Sequence, residues 1–272
     1  MSYGKQAGLL VGCINKRGML RNMNTKYQAM VSTDWNECLS PMGPFDPIIF
    51  AYPEIKSELA EIFRSYTSNK ITLAHAVERL QELMPAPLTM EQMDKYLDHH
   101  FSTYRGVPEF IRWCNENNVF FMINTTASIG FFQRVLNRGL LPGLPALSAH
   151  PGIRFPPLQK DPGEIYELME ITDKSLNTDL AASLHGIPYK RIIIIGDSGG
   201  DGPHFEWGAR KGAFLIGSMT KKSLDNFCSQ KGITIDLYLG PRYEKGEKRD
   251  EAREMAVDFM DLTQIVKKVL AQ

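Results

Sequence analysis

The 272-residue sequence has few cysteines, no excess of either charge and no long apolar run. Its four cysteines lie far apart, match no Cys-x-x-Cys metal pattern and are too sparse for a disulfide framework, which favours a reducing compartment. Its 31 basic and 31 acidic residues leave no net charge that would attract nucleic acid or an anionic membrane. No apolar run approaches the ~20 residues of a transmembrane helix. We therefore expect a cytoplasmic protein that binds neither nucleic acid nor membrane.

The order of apolar patterns predicts the fold class. Residues 1–25 show no clear periodicity and are interpreted as an N-terminal extension, whose apolar patch GLLVGC is too short for a secretion signal. The stretches YQAMVSTD, VFFMIN, IIII and AFLIGS then predict strands, with helical patterns between them. Strands that alternate with helices indicate an α/β protein with a doubly wound, mostly parallel sheet.

A helical insert separates the first two predicted strands. Three segments there have helical periodicity: PEIKSELAEIFRSY, TLAHAVERLQELM and TMEQMDKYLDHHF. We expect this insert, residues 45–104, to form a small cap domain, while residues 26–44 and 105–272 form the α/β core.

The stretch RIIIIGDSGGDGPHF, residues 191–205, runs from the most apolar tetrapeptide directly into an acidic, glycine-rich loop. A central parallel strand is buried on both faces and so reads as a continuous β-branched run. Ligands in such sheets bind beyond the carboxyl ends of the strands, where Asp197 and Asp201 follow. We expect the glycines at 196, 199, 200 and 202 to let the backbone turn sharply there, and Pro203 to begin the next helix.

Polar residues follow other predicted strands in the same way. They are Asp34-Trp35-Asn36, Thr125-Thr126, and Lys174 shortly before the isoleucine strand. Together with Gly196-Asp197-Ser198-Gly199-Gly200-Asp201, this order resembles the haloacid dehalogenase superfamily, whose pattern is a strand ending in DxD, a Thr or Ser, a Lys or Arg, and GDxxxD. The resemblance covers roughly residues 27–220. The helical insert lies where phosphoserine-phosphatase-like members carry a C1-type cap.

This resemblance implies a Mg2+-dependent phosphatase that hydrolyses a small phosphorylated metabolite through an aspartyl-phosphate. Asp34 would be the nucleophile, and Mg2+ would be held by Asp34, Asp197 and the backbone carbonyl of Asn36. Lys174 would pair with Asp34 and the phosphoryl group, Thr125 would donate a hydrogen bond to a phosphoryl oxygen, and Asp201 would orient Lys174 or a metal-bound water. Cations are needed because a carboxylate and a phosphate dianion repel each other.

Several assignments stay open at the level of sequence. Thr126 is an alternative to Thr125, and Lys160 is an alternative to Lys174. Cys38 is interpreted as a packing residue. His99, His100 and His204 are interpreted as ordinary helix residues. The candidates for contact with the substrate are Trp35, Phe45, Tyr52, Arg64 and Tyr66.

Asn36 departs from the family pattern. Phosphatases of the family carry a carboxylic acid at this position, which protonates the leaving oxygen and then deprotonates water. An amide does neither. General acid–base catalysis typically raises a reaction rate by ~10²–10⁴-fold. Three interpretations follow: a substrate whose leaving group needs little protonation, such as an acyl or enol phosphate; a weakened phosphate-binding or regulatory member; or a metal-independent 2-haloacid-type dehalogenase. The paired Asp197 and Asp201 favour a metal and therefore the first two.

Overall fold

A computed structural model describes residues 27–67 and 70–271 of the chain, so the predicted N-terminal extension lies outside the described residues. Among the helices of the described part, none is long and apolar enough to cross a membrane. Within these described ranges seven strands form one sheet: β1 Ala29–Thr33, β2 Val119–Ser128, β3 Ala146–His150, β4 Glu164–Glu167, β5 Ile192–Gly196, β6 Phe214–Ser218 and β7 Leu237–Leu239.

Helices connect these strands. Four of them lie between β1 and β2, at the place of the predicted insert: α1 Asp46–Ala51, α2 Lys56–Thr67, α3 Leu73–Leu83 and α4 Met90–His100. The others are α5 Val107–Glu116, α6 Ile129–Asn137, α7 Asp173–His185, α8 Gly202–Lys211, α9 Lys222–Gln230, α10 Glu251–Met255 and α11 Leu262–Leu270.

All seven strands are parallel, in the order β4-β3-β2-β1-β5-β6-β7, which confirms the predicted doubly wound α/β fold. The strands β1 and β5 are neighbours in the middle, with Val31 opposite Ile193. Alternate residues serve two cores: Ile193 and Ile195 pack on one face, and Ile192 and Ile194 pack on the other. Each buried isoleucine stabilises the fold by roughly 1.5–3 kcal/mol, which explains the continuous β-branched run.

Three strands and three helices were not predicted from the sequence: β3, β4, β7, α1, α9 and α10. The strands are short, and β3 reads ALSAH, whose small and polar residues give no β-branched signal. β3 is nevertheless fully buried because β2 and β4 cover its edges and helices cover its faces. Tertiary packing, rather than local propensity, therefore makes it a strand.

The inserted helices have clear local signals and specific contacts with the rest of the chain. Thr72 caps α3 through the N–H of His75, and Thr89 forms a capping box with Gln92 at the start of α4. The Glu170 carboxylate accepts hydrogen bonds from the first two N–H groups of α3. These contacts hold α3 against the loop that leads into α7. The division into a cap at 45–104 and a core remains a prediction.

Candidate active site

The carboxyl ends of β1 and β5 bring four of the predicted site residues together. Asp34 follows β1, and its N–H donates to the carbonyl of Ile195 on β5 at 3.0 Å. Lys174, near the start of α7, places its Nζ 3.0 Å from Asp34 Oδ1 and 2.6 Å from Asp201 Oδ1. One carboxylate oxygen each from Asp34, Asp197 and Asp201 lies within 4.8 Å of the others. The structure thus gathers three acids around one lysine.

The loop after β5 requires glycine for close packing rather than for a left-handed turn. The backbone makes a tight 3-10 turn at Gly199–Asp201, but none of the glycines at 196, 199, 200 and 202 has a positive φ, so the turn does not need the left-handed conformation that glycine allows. A Cβ on Gly196 would lie 2.6 Å from Asp201 Cγ. The approach is close because Asp201 Oδ2 accepts the N–H groups of Asp197 and Ser198 at 3.0 and 3.3 Å. Pro203 stands in the first turn of α8, as predicted.

Burial and mutual contact set the charges in the Lys174 cluster. Burial by itself would lower the pKa of Lys174, but the carboxylates of Asp201 and Asp34 raise it above its usual value, so the ammonium stays charged. Burial would raise the pKa of Asp201, and Lys174 outweighs burial and holds it below its usual value. For Asp34 burial dominates over Lys174, so its pKa is raised. Asp201 is therefore the permanent counterion of Lys174.

A second lysine, which the sequence reading missed, pairs with Asp197. Lys221 Nζ lies 2.9 Å from Asp197 Oδ2 and also binds the Glu37 carboxylate. Arg249 holds the other oxygen of Glu37 at 2.9 Å. Burial, together with the neighbouring Asp201 and Asp34 carboxylates, raises the pKa of Asp197 to about 7 despite Lys221. The available signals were positional: Glu37 directly follows the Asp34 motif, and Lys221 comes shortly after β6.

The two open sequence alternatives have different places in the structure. Thr125 is 1% exposed and accepts the N–H of Ala127, whereas the half-buried Thr126 lines the cavity in front of Asp34. Lys160 is an exposed loop residue next to Gly139 and does not belong to the acidic cluster, where Lys174 lies. Asn36 donates from Nδ2 to the carbonyl of Met42 at 3.1 Å, and its buried Oδ1 has no hydrogen-bond partner in the described part of the chain.

An open cavity of about 550 Å3, here called the site cavity, lies in front of these residues. Phe63 and Tyr66 of α2 form the wall opposite the acids. Of the proposed substrate contacts, Tyr66 lines this cavity. Trp35 does not line it, because its side chain is 0% exposed and packs on Phe132. Cys38 is also fully buried, in agreement with a packing role.

Buried polar side chains form a chain of hydrogen bonds to the backbone of Lys174. The Thr178 hydroxyl donates to the carbonyl of Lys174 at 2.8 Å, and His204 Nε2 lies 3.0 Å from the same hydroxyl. Because that hydroxyl uses its proton on Lys174, the neutral His204 ring donates to it. Burial, with the nearby Lys174 charge, lowers the pKa of His204 to about 3. His204 is thus a neutral structural residue of α8.

This histidine predicts a pH-dependent stability. Above pH 6.5 the ring is neutral in both the folded and the unfolded chain, so it has no effect. Between pH 6.5 and about 3 the unfolded chain binds a proton that the folded chain excludes, which costs ~1.4 kcal/mol per pH unit. From pH 7.5 to pH 5, wild type should therefore lose about 2 kcal/mol relative to His204→Asn in urea unfolding. His75→Asn, on an exposed surface, is the control; parallel curves for wild type and His204→Asn would contradict the prediction.

Comparisons with known proteins agree with this architecture. No protein-family model and no curated protein sequence matches the chain. A phosphoserine phosphatase, solved as a phospho-aspartyl intermediate analogue, superposes with a TM-score of 0.61 at 14% identity over 88% of this chain and 99% of that chain. A HAD family hydrolase from Salmonella enterica subsp. enterica serovar Typhi gives 0.53 at 12% identity over 78% and 68%. A cytosolic 5'-nucleotidase IIIB bound to cytidine gives 0.50 at 15% identity over 91% of each chain. The chain therefore has the phosphoserine-phosphatase-like fold of the haloacid dehalogenase (HAD) superfamily.

Proposed function

We propose that this protein is a Mg2+-dependent phosphatase that hydrolyses a small phosphorylated metabolite through an aspartyl-phosphate on Asp34. The observation that carries the proposal is the meeting of Asp34, Lys174, Asp197 and Asp201 at the edge of an open cavity. Solved neighbours in this fold include a phosphoserine phosphatase and a 5'-nucleotidase, which act on small phosphorylated compounds.

The donor set fits a divalent cation. The carboxylates of Asp34, Glu37, Asp197 and Asp201 outnumber the ammonium groups of Lys174 and Lys221 by two. Arg249 does not change this excess because its positive charge is matched by the negative charge of the buried Glu254, with which it forms an ion pair. Hard oxygen donors with two surplus negative charges suit Mg2+. Asp34, Asp197 and the backbone carbonyl of Asn36 would hold the ion, which when bound would neutralise phosphoryl oxygens.

The side chains present can carry both halves of the hydrolysis. An Asp34 oxygen attacks phosphorus, a new P–O bond forms, and the bond to the leaving oxygen breaks. Lys174, charged and 4% exposed, balances the charge on Asp34 and the phosphoryl group. We assign the phosphoryl-contacting hydroxyl to Thr126, because Thr126 lines the site cavity. The leaving oxygen takes its proton from solvent. Water then attacks phosphorus, the bond between phosphorus and Asp34 breaks, and the proton that the water loses passes to solvent.

The placement of Asn36 favours substrates with stable leaving groups. Its Nδ2 is committed to the carbonyl of Met42, and an amide neither gives nor takes a proton. An acyl or enol phosphate needs little protonation as its bond to phosphorus breaks. We therefore rank acyl and enol phosphates above simple alkyl phosphates as substrates. A weakened phosphate-binding or regulatory protein is the second candidate, and the same lack of an acid favours it.

Phosphate release tests the proposal directly. Purified protein is incubated with acetyl phosphate, phosphoenolpyruvate and a set of alkyl phosphates, with Mg2+ or with EDTA. We expect release that requires Mg2+ and is fastest for acetyl phosphate. Binding of phosphate esters without release would instead support the phosphate-binding candidate. Halide release from 2-haloacids in EDTA would overturn both in favour of a dehalogenase.

Restoring the missing acid is a sharper probe of Asn36. Asn36→Asp should raise kcat/KM for alkyl phosphates by about tenfold or more, because general acid catalysis of the leaving alkoxide is regained. The rate with acetyl phosphate should change little, since its leaving group needs no proton. Asn137→Asp, on α6, is the matched amide-to-acid control. A lower rate with every ester would show that Asn36 belongs to a different chemistry.

A further inference from the structure

A second, smaller cavity adjoins the site cavity and lies between the inserted helices and residues of β2, α6 and β3. It is called the apolar cavity here, and its volume is about 80 Å3. The two cavities share a rim, so a molecule whose phosphoryl group lies at Asp34 can reach the apolar cavity with its other end. The rim residues that line both cavities are Asn36, Pro44, Phe63, Tyr66 and Thr126.

The walls of the apolar cavity carry no charge. One side is the inner face of α3, where Leu73, Val77 and Leu80 recur at helical spacing. Met93 of α4 and Phe131 of α6 contribute further apolar surface. Among the described residues that line this cavity, none is a lysine, arginine, aspartate or glutamate. A charged group entering it would lose its water without gaining a partner, which costs several kcal/mol.

Besides Asn36 Oδ1 on the rim, a buried histidine in this wall has a polar atom without a partner among the described residues. His150, at the end of β3, is 5% exposed and lines the apolar cavity. Its Nδ1 accepts the N–H of Gly152 at 2.9 Å, so the proton of the neutral ring is on Nε2. Burial lowers the pKa of His150 and keeps the ring neutral. Nε2 is buried and has no hydrogen-bond partner within residues 27–67 and 70–271. A buried unpaired donor costs free energy, so it points to a ligand acceptor.

We propose that the apolar cavity selects substrates whose leaving group is compact, uncharged and mostly apolar, with one neutral acceptor for His150. This inference rests on the proposed function, since it names the substrate class of the same site. An apolar cavity of 150 Å3 holds benzene, so about 80 Å3 accommodates roughly three to five heavy atoms. Short branched or carbonyl-bearing phosphates fit these limits. Phosphoserine, with an ammonium and a carboxylate, does not.

Isosteric esters test the lack of charge. Isobutyl phosphate and 2-phosphoglycolate have leaving groups of equal size, one neutral and one anionic, and propyl phosphate and phosphoethanolamine form a neutral and cationic pair. We expect kcat/KM for the neutral member to exceed that of the charged member by at least about 100-fold in each pair. Equal rates, or a preference for a charged member, would overturn the proposal.

Binding separates this inference from the catalytic one. Titration calorimetry of the same esters on Asp34→Asn protein needs no turnover, so the preference for neutral esters can be measured even if wild type releases no phosphate. Preferential binding of isobutyl phosphate without turnover would keep the cavity assignment and remove the phosphatase. Turnover of all esters with no preference would keep the phosphatase and remove the cavity assignment.

Two variants locate the preference in the apolar cavity. Val77→Phe fills the apolar cavity and should lower the ratio of kcat/KM for isobutyl phosphate to kcat/KM for acetyl phosphate by about tenfold or more. Glu82→Phe, on the exposed side of α3, is the control and should leave this ratio unchanged. Acetonyl phosphate has a ketone oxygen in the place of one methyl group of isobutyl phosphate. It should be preferred by about 3- to 10-fold in wild type, and His150→Phe should abolish that preference. If both preferences survive the variants, the assignment is wrong.

Discussion

Asp34→Asn should lower Mg2+-dependent phosphate release by about 10⁴-fold or more, because an amide oxygen is too weak a nucleophile to displace the leaving group. The fold should remain intact. Asp34 follows β1 and is tied to β5 through its backbone N–H, which the variant keeps. The charge of Lys174 also remains paired, since Asp201 lies 2.6 Å from its Nζ. The loss should therefore appear in kcat and leave the unfolding midpoint nearly unchanged.

Acid-quenched labelling gives a second readout for Asp34. Wild type incubated with a ³²P-labelled substrate should retain acid-stable but base-labile label, as an aspartyl-phosphate does, and Asp34→Asn should retain none. Asp179→Asn is the matched control, because this aspartate is on the outer side of α7 with a 40% exposed side chain. If Asp34→Asn released phosphate at the wild-type rate, the nucleophile assignment would fail.

Lys174→Met should destabilise the protein by about 3–5 kcal/mol and abolish activity. The substitution keeps an unbranched side chain one atom shorter than lysine but leaves the buried Asp34 and Asp201 carboxylates without their cation, and an uncompensated buried charge is costly. Lys160→Met is the matched control: Lys160 is exposed, so its change should stay within about 0.5 kcal/mol. Urea unfolding in EDTA, where added metal cannot replace the ammonium, measures both.

The destabilisation by Lys174→Met should depend on pH with a definite sign. Without the lysine, the folded-state pKa values of Asp34 and Asp201 rise above the unfolded value of 3.8. The penalty is then complete above the raised folded pKa and disappears as pH falls toward 3.8. Wild type and variant should consequently differ most near pH 8 and converge on acidification. A constant difference between pH 8 and pH 5 would argue against a charge effect and for lost packing.

Much of this fold could be predicted from local sequence because its central strands have strong signals. The run from Ile192 to Ile195 must be buried on both faces, and the acidic loop after it must lie at the carboxyl edge of the sheet. The order of Asp34, Lys174 and Asp197 along the chain resembles the pattern of the haloacid dehalogenase superfamily, and that resemblance implied a common site.

The features that sequence reasoning missed depend on residues distant in the chain. Lys221 and Glu37 are separated by 184 positions, yet Lys221 pairs with both the Glu37 and the Asp197 carboxylates because β6 packs beside β5. β3 has no β-branched pattern and is a strand because β2 and β4 flank it. The sequence correctly indicated that glycine matters in the acidic loop, but the reason is different. Gly196 is required because the Asp201 side chain lies too close for a Cβ, and not because of its backbone φ.

The sequence by itself determined the parallel α/β core, the helical insert and the set of acids at the strand ends, because each depends on local periodicity or on residues next to a strand. Only the tertiary structure decided which threonine lines the cavity, which lysine joins the acids, and that α3 and His150 enclose an uncharged pocket beside Asn36. The physical reason is that a cavity is a property of surfaces from several segments. Its shape and polarity exist only once those segments pack together.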